Sequence, residues 1–198
     1  MRQKHWYDYL WIASVIYLAL GFFNILFAWL GMICFLVPLI MAFVGRGKLY
    51  CNKYCGRGQL FTLLGRDLGG SLKKNPPAFI RSKWFRYGFL TFFMTMFGIM
   101  VYTTYLVFAG QELSHAVKLL WMFRLPWAWV DVSIVSPWVA QFAFGFYGVM
   151  LTSTVLGLAT MILFKPRTWC VYCPMGTMTQ GICMVKNGYE LKESSKDA

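Results

Sequence analysis

Residues 9–44 read YLWIASVIYLALGFFNILFAWLGMICFLVPLIMAFV, without one Asp, Glu, Lys, Arg or His. About 20 helical residues at roughly 1.5 Å each cross the ~30 Å hydrocarbon layer, so this run is too long for one span. Arg2 and Lys4 precede it, and Arg46 and Lys48 follow. Basic loops stay on the cytoplasmic side. The chain must therefore go out and come back as a tight helical hairpin, turning between Gly21 and Gly31. Asn24 and Gly31 are the expected turn residues, and Pro38 is expected to kink the returning helix. The opening Met1 to His5 imitates a signal peptide, but the apolar run far exceeds a 7–15-residue signal core. It is expected to remain as membrane helix.

The rest of the chain has the same character. Of 198 residues 59% are hydrophobic and 19% aromatic, and only 13% are charged, about half the share in a soluble domain. Ten of the 19 Lys and Arg fall between Arg46 and Arg86, where Asp67 is the one acid. Five more follow Phe164, while the two between Gly110 and Ile134 are balanced by Glu112 and Asp131. The net charge of +12 is thus a topology signal, read as anionic lipid at a basic face and no nucleic acid. A third helix is expected over Tyr87–Ala109 and a fourth over Val135–Phe164. Between them, the loop 110–134 with Trp121, Trp127 and Trp129 reads as an amphipathic segment at the headgroups.

These readings give an all-α integral membrane protein of four transmembrane helices, in the inner (cytoplasmic) membrane with both termini cytoplasmic. The helices form two parallel helix-pair repeats, each followed by a cytoplasmic Cys motif. Residues 1–83 make the first repeat, 84–189 the second, and 190–198 a polar tail. Aligning Cys55 with Cys173 places Gly58 over Gly176, as repeats about an axis along the membrane normal require.

The chemistry lies in Cys51-x3-Cys55 and Cys170-x2-Cys173. Two close pairs far apart in sequence are how four-cysteine sites for Zn, Fe or an iron–sulfur cluster are assembled, and a reducing compartment argues against disulfides. Pro174 suits the first position of a helix with Cys173 at its cap, so free N–H groups would face an anionic centre. Gly56 and Gly58 around Cys55, and Gly176 in the other half, let backbone amides approach the sulfurs. Lys48, Lys53, Arg57 and Arg167 offset negative charge. Cys34 reads as a packed thiol inside the second helix, and Cys183 as a bystander rather than a spare ligand.

The order helix pair, Cys51-x3-Cys55, Arg81-Ser-Lys-Trp-Phe-Arg86, helix pair, Cys170-x2-Cys173-Pro-Met-Gly resembles the membrane iron–sulfur proteins of the NapH/NosR type over most of residues 1–185. Three features depart from that pattern: the x2 spacing, Gly56 where proline is usual, and the lack of a ferredoxin-like tail. The resemblance implies one [4Fe–4S] cluster in preference to [2Fe–2S], on Cys51, Cys55, Cys170 and Cys173. It also implies electron transfer with quinone and with other redox subunits of a membrane complex, by a subunit that is itself non-catalytic.

Other chemistries find little footing. His5 and His115 lie outside the expected helices, which argues against an internal bis-histidine haem, and no hydrolase triad or phosphate loop is present. The expected helices carry no charged residue, so a proton or ion path lacks support. A centre at the cytoplasmic face needs a second carrier to span the bilayer. Glu112 and His115 read as an exposed polar pair. The rival reading is copper handling, because thiolates with Met175, Met178 and Met184 suit Cu(I).

Overall fold

The computed structural model describes residues 6–44, 50–120, 122–126 and 135–194. It is mostly helical. Helices over Ile25–Phe43, Lys83–Phe108 and Pro137–Leu163 are long and apolar enough to cross a membrane, and the apolar helix Tyr7–Phe23 is shorter. Large apolar side chains such as Phe23, Ile33, Ile40, Val101 and Ile162 stand exposed, as expected where lipid is the solvent.

The first pair turns at Asn24. Helix α1 (Leu10–Phe23) ends there because Asn24 is extended, and its side chain accepts a hydrogen bond from Leu26 N at 3.0 Å. Such Asx turns are a local alternative to helix. The chain then tightens into a 3-10 segment, Ile25–Leu30, before α2 (Gly31–Phe43). Tyr17 O–H donates to Ala28 C=O at 3.4 Å across the hairpin. Gly31 is a crossing point rather than a turn: a β-carbon there would lie 2.6 Å from Tyr17 Oη.

Past two short stretches, a π-helical turn at Tyr50–Tyr54 and α3 (Gly56–Thr62), the chain reaches the one-turn helix α4 (Ala78–Arg81) and then α5 (Lys83–Phe108). Helix α6 (Pro137–Leu163) returns beside it. Their close approach is at Gly145, where a β-carbon would meet Met100 Cγ at 2.4 Å. Trp29 Nε1 donates to Val139 C=O at 3.4 Å, so the turn of the first pair and the start of α6 share one end of the bundle.

Three non-spanning segments fold back into the bundle. Helix α3 begins beside the first turns of α1, with Gly56 against Leu10 C=O and Ser14, and runs along α6 past Gly157 at Phe61; the following Gly65 meets Met161. Helix α7 (Trp169–Tyr172) packs on Phe89, and α8 (Pro174–Ser194) then descends until Gln180 accepts from Arg86 Nη2 at 2.6 Å. From the opposite end comes an antiparallel hairpin, β1 (Ala116–Leu119) with β2 (Phe123–Pro126), in register Val117 to Leu125.

This hairpin corrects the all-α expectation and replaces part of the amphipathic headgroup segment expected over 110–134; Trp121, Trp127 and Trp129 lie outside the described residues. It docks along α6: Ser114 N donates to Gln141 Oε1 at 3.1 Å and Leu120 N to Thr152 Oγ1 at 3.2 Å. Thr152 is about 22 Å along α6 from Pro137 at roughly 1.5 Å per residue. Extended backbone survives at such depth only when other groups satisfy it. The partner strand, Gln141 and Thr152 do so here, and Val117 is fully buried with Ile25, Ala28 and Phe144.

Candidate functional site

Both cysteine pairs have the same local form. Cys51 sits in the Tyr50–Tyr54 turn and Cys170 in α7; the chain then extends at Cys55 (φ −71°, ψ 104°) and at Cys173 (φ −51°, ψ 129°). A new helix starts at the next residue, Gly56 or Pro174. Its first turn closes alike in both, Gln59 N donating to Cys55 C=O and Thr177 N to Cys173 C=O, each at 3.0 Å. Pro174 is thus the first helical residue.

All four cysteines line one cavity of about 100 Å³. Ser14 of α1, Cys34 and Pro38 of α2, and Met150 at the centre of α6 complete its wall. The sulfurs of Cys55 and Cys170 lie 3.7 and 3.8 Å from the position a β-carbon would take at Gly58. Cys51 Sγ is 3.9 Å from Thr179 Oγ1. The thiols ring the space rather than meet at a point: among the described residues, no three His, Cys, Asp or Glu side chains group closely enough to hold one metal ion.

The sequence places these cysteines where apolar helices meet basic loops. In the structure they lie level with the middle of α6 and with the first turns of α1, where α3 and α8 begin. Arg57 goes with them. Its guanidinium donates to Ser153 Oγ and Met150 Sδ of α6, and among the described residues the one ion pair is Arg66 with Asp67. A charged group so far along apolar helices is costly unless an opposite charge faces it.

Burial pushes the Cys170 thiol up to about 12, with Cys55 and Cys173 adding to the rise and Arg167 opposing it. Cys170 keeps accessible surface and is one of the residues lining the cavity. Cys173 rises to about 11, mainly through burial, against N–H groups of Gly176 and Met175 that donate to its sulfur. Burial also raises the Tyr50 phenol, which shares a hydrogen bond with Cys34. Unliganded Cys170 and Cys173 are therefore neutral at pH 7, and a cation bound by them must displace protons.

Gly176 supplies an amide to Cys173, as expected, and Gly58 faces two sulfurs. Gly56 lines the cavity but is required by packing, since a β-carbon there would lie 2.6 Å from Leu10 C=O. Arg167 Nε donates to Thr62 Oγ1 at 3.0 Å, tying the two halves together. Lys53 points outward and Lys48 lies outside the described residues. Cys34 joins the cavity wall, against the reading of a plain packed thiol, while Cys183 is not among its lining residues. On the hairpin, Lys118 lines a small cavity with Gln141, Gly145 and Val149.

No family model, characterised protein or solved structure matches the chain.

Proposed function

We propose that the chain is a membrane electron-transfer subunit of the NapH/NosR kind, holding one iron–sulfur centre on Cys51, Cys55, Cys170 and Cys173. The observation that carries this reading is the single cavity of about 100 Å³ ringed by all four thiols. One zinc ion with ~2.3 Å bonds would draw four sulfurs to about 4 Å from one another. A cluster keeps them further apart, because different irons bind different thiolates. The cavity of about 100 Å³ exceeds the roughly 10–15 Å³ that one water needs, which supports a bound group larger than water there. The centre would accept and release single electrons.

The chain's own groups suit an anionic centre. Arg57 supplies the facing positive charge. Gly176 and Met175 supply amides at the start of α8, where the helix dipole favours negative charge. Such contacts set the potential. Around this site we place four spans as two parallel helix-pair repeats in the inner membrane, with both termini cytoplasmic and basic residues against anionic lipid. The two matching cysteine turns and the two inward-starting helices support the repeat. Quinone or other redox subunits supply and take electrons.

A second reading, copper handling, is favoured by the thioethers of Met150 and Met175 in the same wall. Anaerobic purification with iron, sulfide, copper and zinc analysis and EPR separates the two. Acid-labile sulfide with a reducible EPR signal is the expected result; copper without sulfide replaces the first reading by the second.

A further inference from the structure

Asp8 and Asp67 are the two acids of residues 1–111, a stretch that carries 12 Lys and Arg, and the fold brings both to one cavity. It holds about 340 Å³, within the size range of small-ligand sites, and its wall includes Asp8, Trp11, Gln59, Thr62, Arg66 and Asp67. Two helices fix its level. Asp8 and Trp11 bracket the start of α1 at Leu10. The segment after α3 reaches the last turn of α6, with Gly65 against Met161 and Leu72 N donating to Ile162 C=O at 3.0 Å. The cavity therefore opens where one apolar helix begins and another ends, at the level of lipid headgroups.

We infer that this cavity is a site for an aminoalkyl phosphodiester, the headgroup chemistry of an ethanolamine phospholipid. Two carboxylates repel a purely anionic headgroup, and Arg66 repels a lone cation; a headgroup with both charges suits all three. Arg66 Nε donates to Asp67 Oδ1 at 3.0 Å. A guanidinium has five N–H donors and a carboxylate about four acceptor positions, so this pair has capacity for a phosphate and an ammonium side by side. Gln59 donates its amide nitrogen to Lys53 C=O at 3.2 Å, which assigns its carbonyl oxygen as a further acceptor for the ammonium. Trp11 adds an aromatic wall, whose face attracts cations. The membrane is the source that α1 favours. Ile12, Val15 and Ile16 stand exposed, and Val15 and Ile16 lie one helical turn beyond Trp11 and Ile12. Acyl chains attached to a headgroup in the cavity would run along that apolar face. The site shares no lining residue with the cysteine cavity, so this inference stands apart from the iron–sulfur reading.

The test is native mass spectrometry of the full chain, released from detergent after incubation with equimolar phosphatidylethanolamine, phosphatidylcholine and phosphatidylglycerol. Expected is a several-fold preference for phosphatidylethanolamine. The choline lipid keeps both charges but has no ammonium N–H to donate, and the glycerol lipid lacks the cation. Asp8→Asn combined with Asp67→Asn should abolish the preference. Arg66→Gln should lower the ethanolamine adduct several-fold, and it carries the test if the double variant does not fold. Arg81→Gln, outside the cavity wall, should leave that adduct unchanged. Equal adducts of the three lipids, or a preference that survives in the cavity variants, overturns the site. Glycerophosphoethanolamine, the same headgroup without acyl chains, separates the two sources. Binding much weaker than the lipid's is expected, and binding as tight overturns the membrane as the source.

Discussion

The sulfurs of Cys55 and Cys170 flank Gly58, at 3.7 and 3.8 Å from the point where a β-carbon would stand. Gly58→Ala adds a methyl group at ordinary contact distance from two empty thiols, and alanine favours helix over glycine by about 1 kcal/mol. The metal-free variant should therefore fold as well as the parent. With an inorganic core drawing both sulfurs inward, the same methyl group intrudes. Iron per chain should fall several-fold while circular dichroism is unchanged; full iron content in the variant would show that Gly58 does not border the centre.

Single replacement of Cys51, Cys55, Cys170 or Cys173 by Ser should remove the EPR signal and most of the iron and sulfide. Cys183→Ser should keep both. Cys34→Ser should retain iron but shift the midpoint potential, because Cys34 lines the cavity and is tied to Tyr50 beside Cys51. A Cys170→Ser protein with normal sulfide would remove that residue from the ligand set.

Part of this arrangement was legible in the residues. The apolar run ending at Asn24 and resuming at Ile25 announces a hairpin, since the Asx turn is a local property. Pro174 after Cys173 announces a helix start for the same reason. Depth was hidden. Whether Arg57 lies in water or reaches Ser153 depends on Gly56 and Gly157 letting α3 slide between α1 and α6, a long-range packing fact without a periodic signature. The β-hairpin was hidden likewise: residues 116–126 carry Lys118 and Arg124 and read as part of an amphipathic segment at the headgroups. Gln141, Gly148 and Thr152 on α6 help to seat it.

Arg57→Met should act with opposite sign on the two forms of the protein. In the metal-free form it removes a partly buried charge without a paired carboxylate, and replacing such charges by apolar groups is neutral or stabilising by about 1–4 kcal/mol. In the loaded form it removes the cation facing an anionic centre, so the midpoint potential should fall and the centre should be lost more readily. Urea or thermal unfolding of the metal-free protein, beside a redox titration of the loaded one, reads both. A potential that rises instead contradicts the placement of Arg57 beside the centre.

Gly148→Ala should dislodge the hairpin. A β-carbon there would lie 2.7 Å from Lys118 C=O, a backbone atom with no freedom to swing aside. Overpacking of this kind costs about 1–3 kcal/mol, and the hydrogen bond from Leu120 N to Thr152 would be strained with it. A lower melting temperature in detergent and new protease cleavage near residues 116–126 are expected, with iron content retained because the cysteine cavity lies across α6. Unchanged protection of that segment would mean that the hairpin does not rest on Gly148.

Stability of the metal-free protein should fall as pH rises above about 9. The ordinary thiol value is 9.0, whereas folded Cys173 and Cys170 are pushed up to about 11 and about 12 by burial. Between these limits the unfolded chain has released protons that the folded chain still holds, so the unfolded state binds fewer protons and the slope of stability with pH is negative. Below pH 9 this contribution is constant, because both states keep their thiols protonated. The loaded protein behaves in the opposite sense: protons compete with the centre for the sulfurs, so its loss should quicken as pH falls. Denaturant titrations of the metal-free protein from pH 8 to 10.5, repeated on Cys170→Ser, isolate the thiol contribution. A stability independent of pH over that range would mean that the thiols are not held protonated by burial.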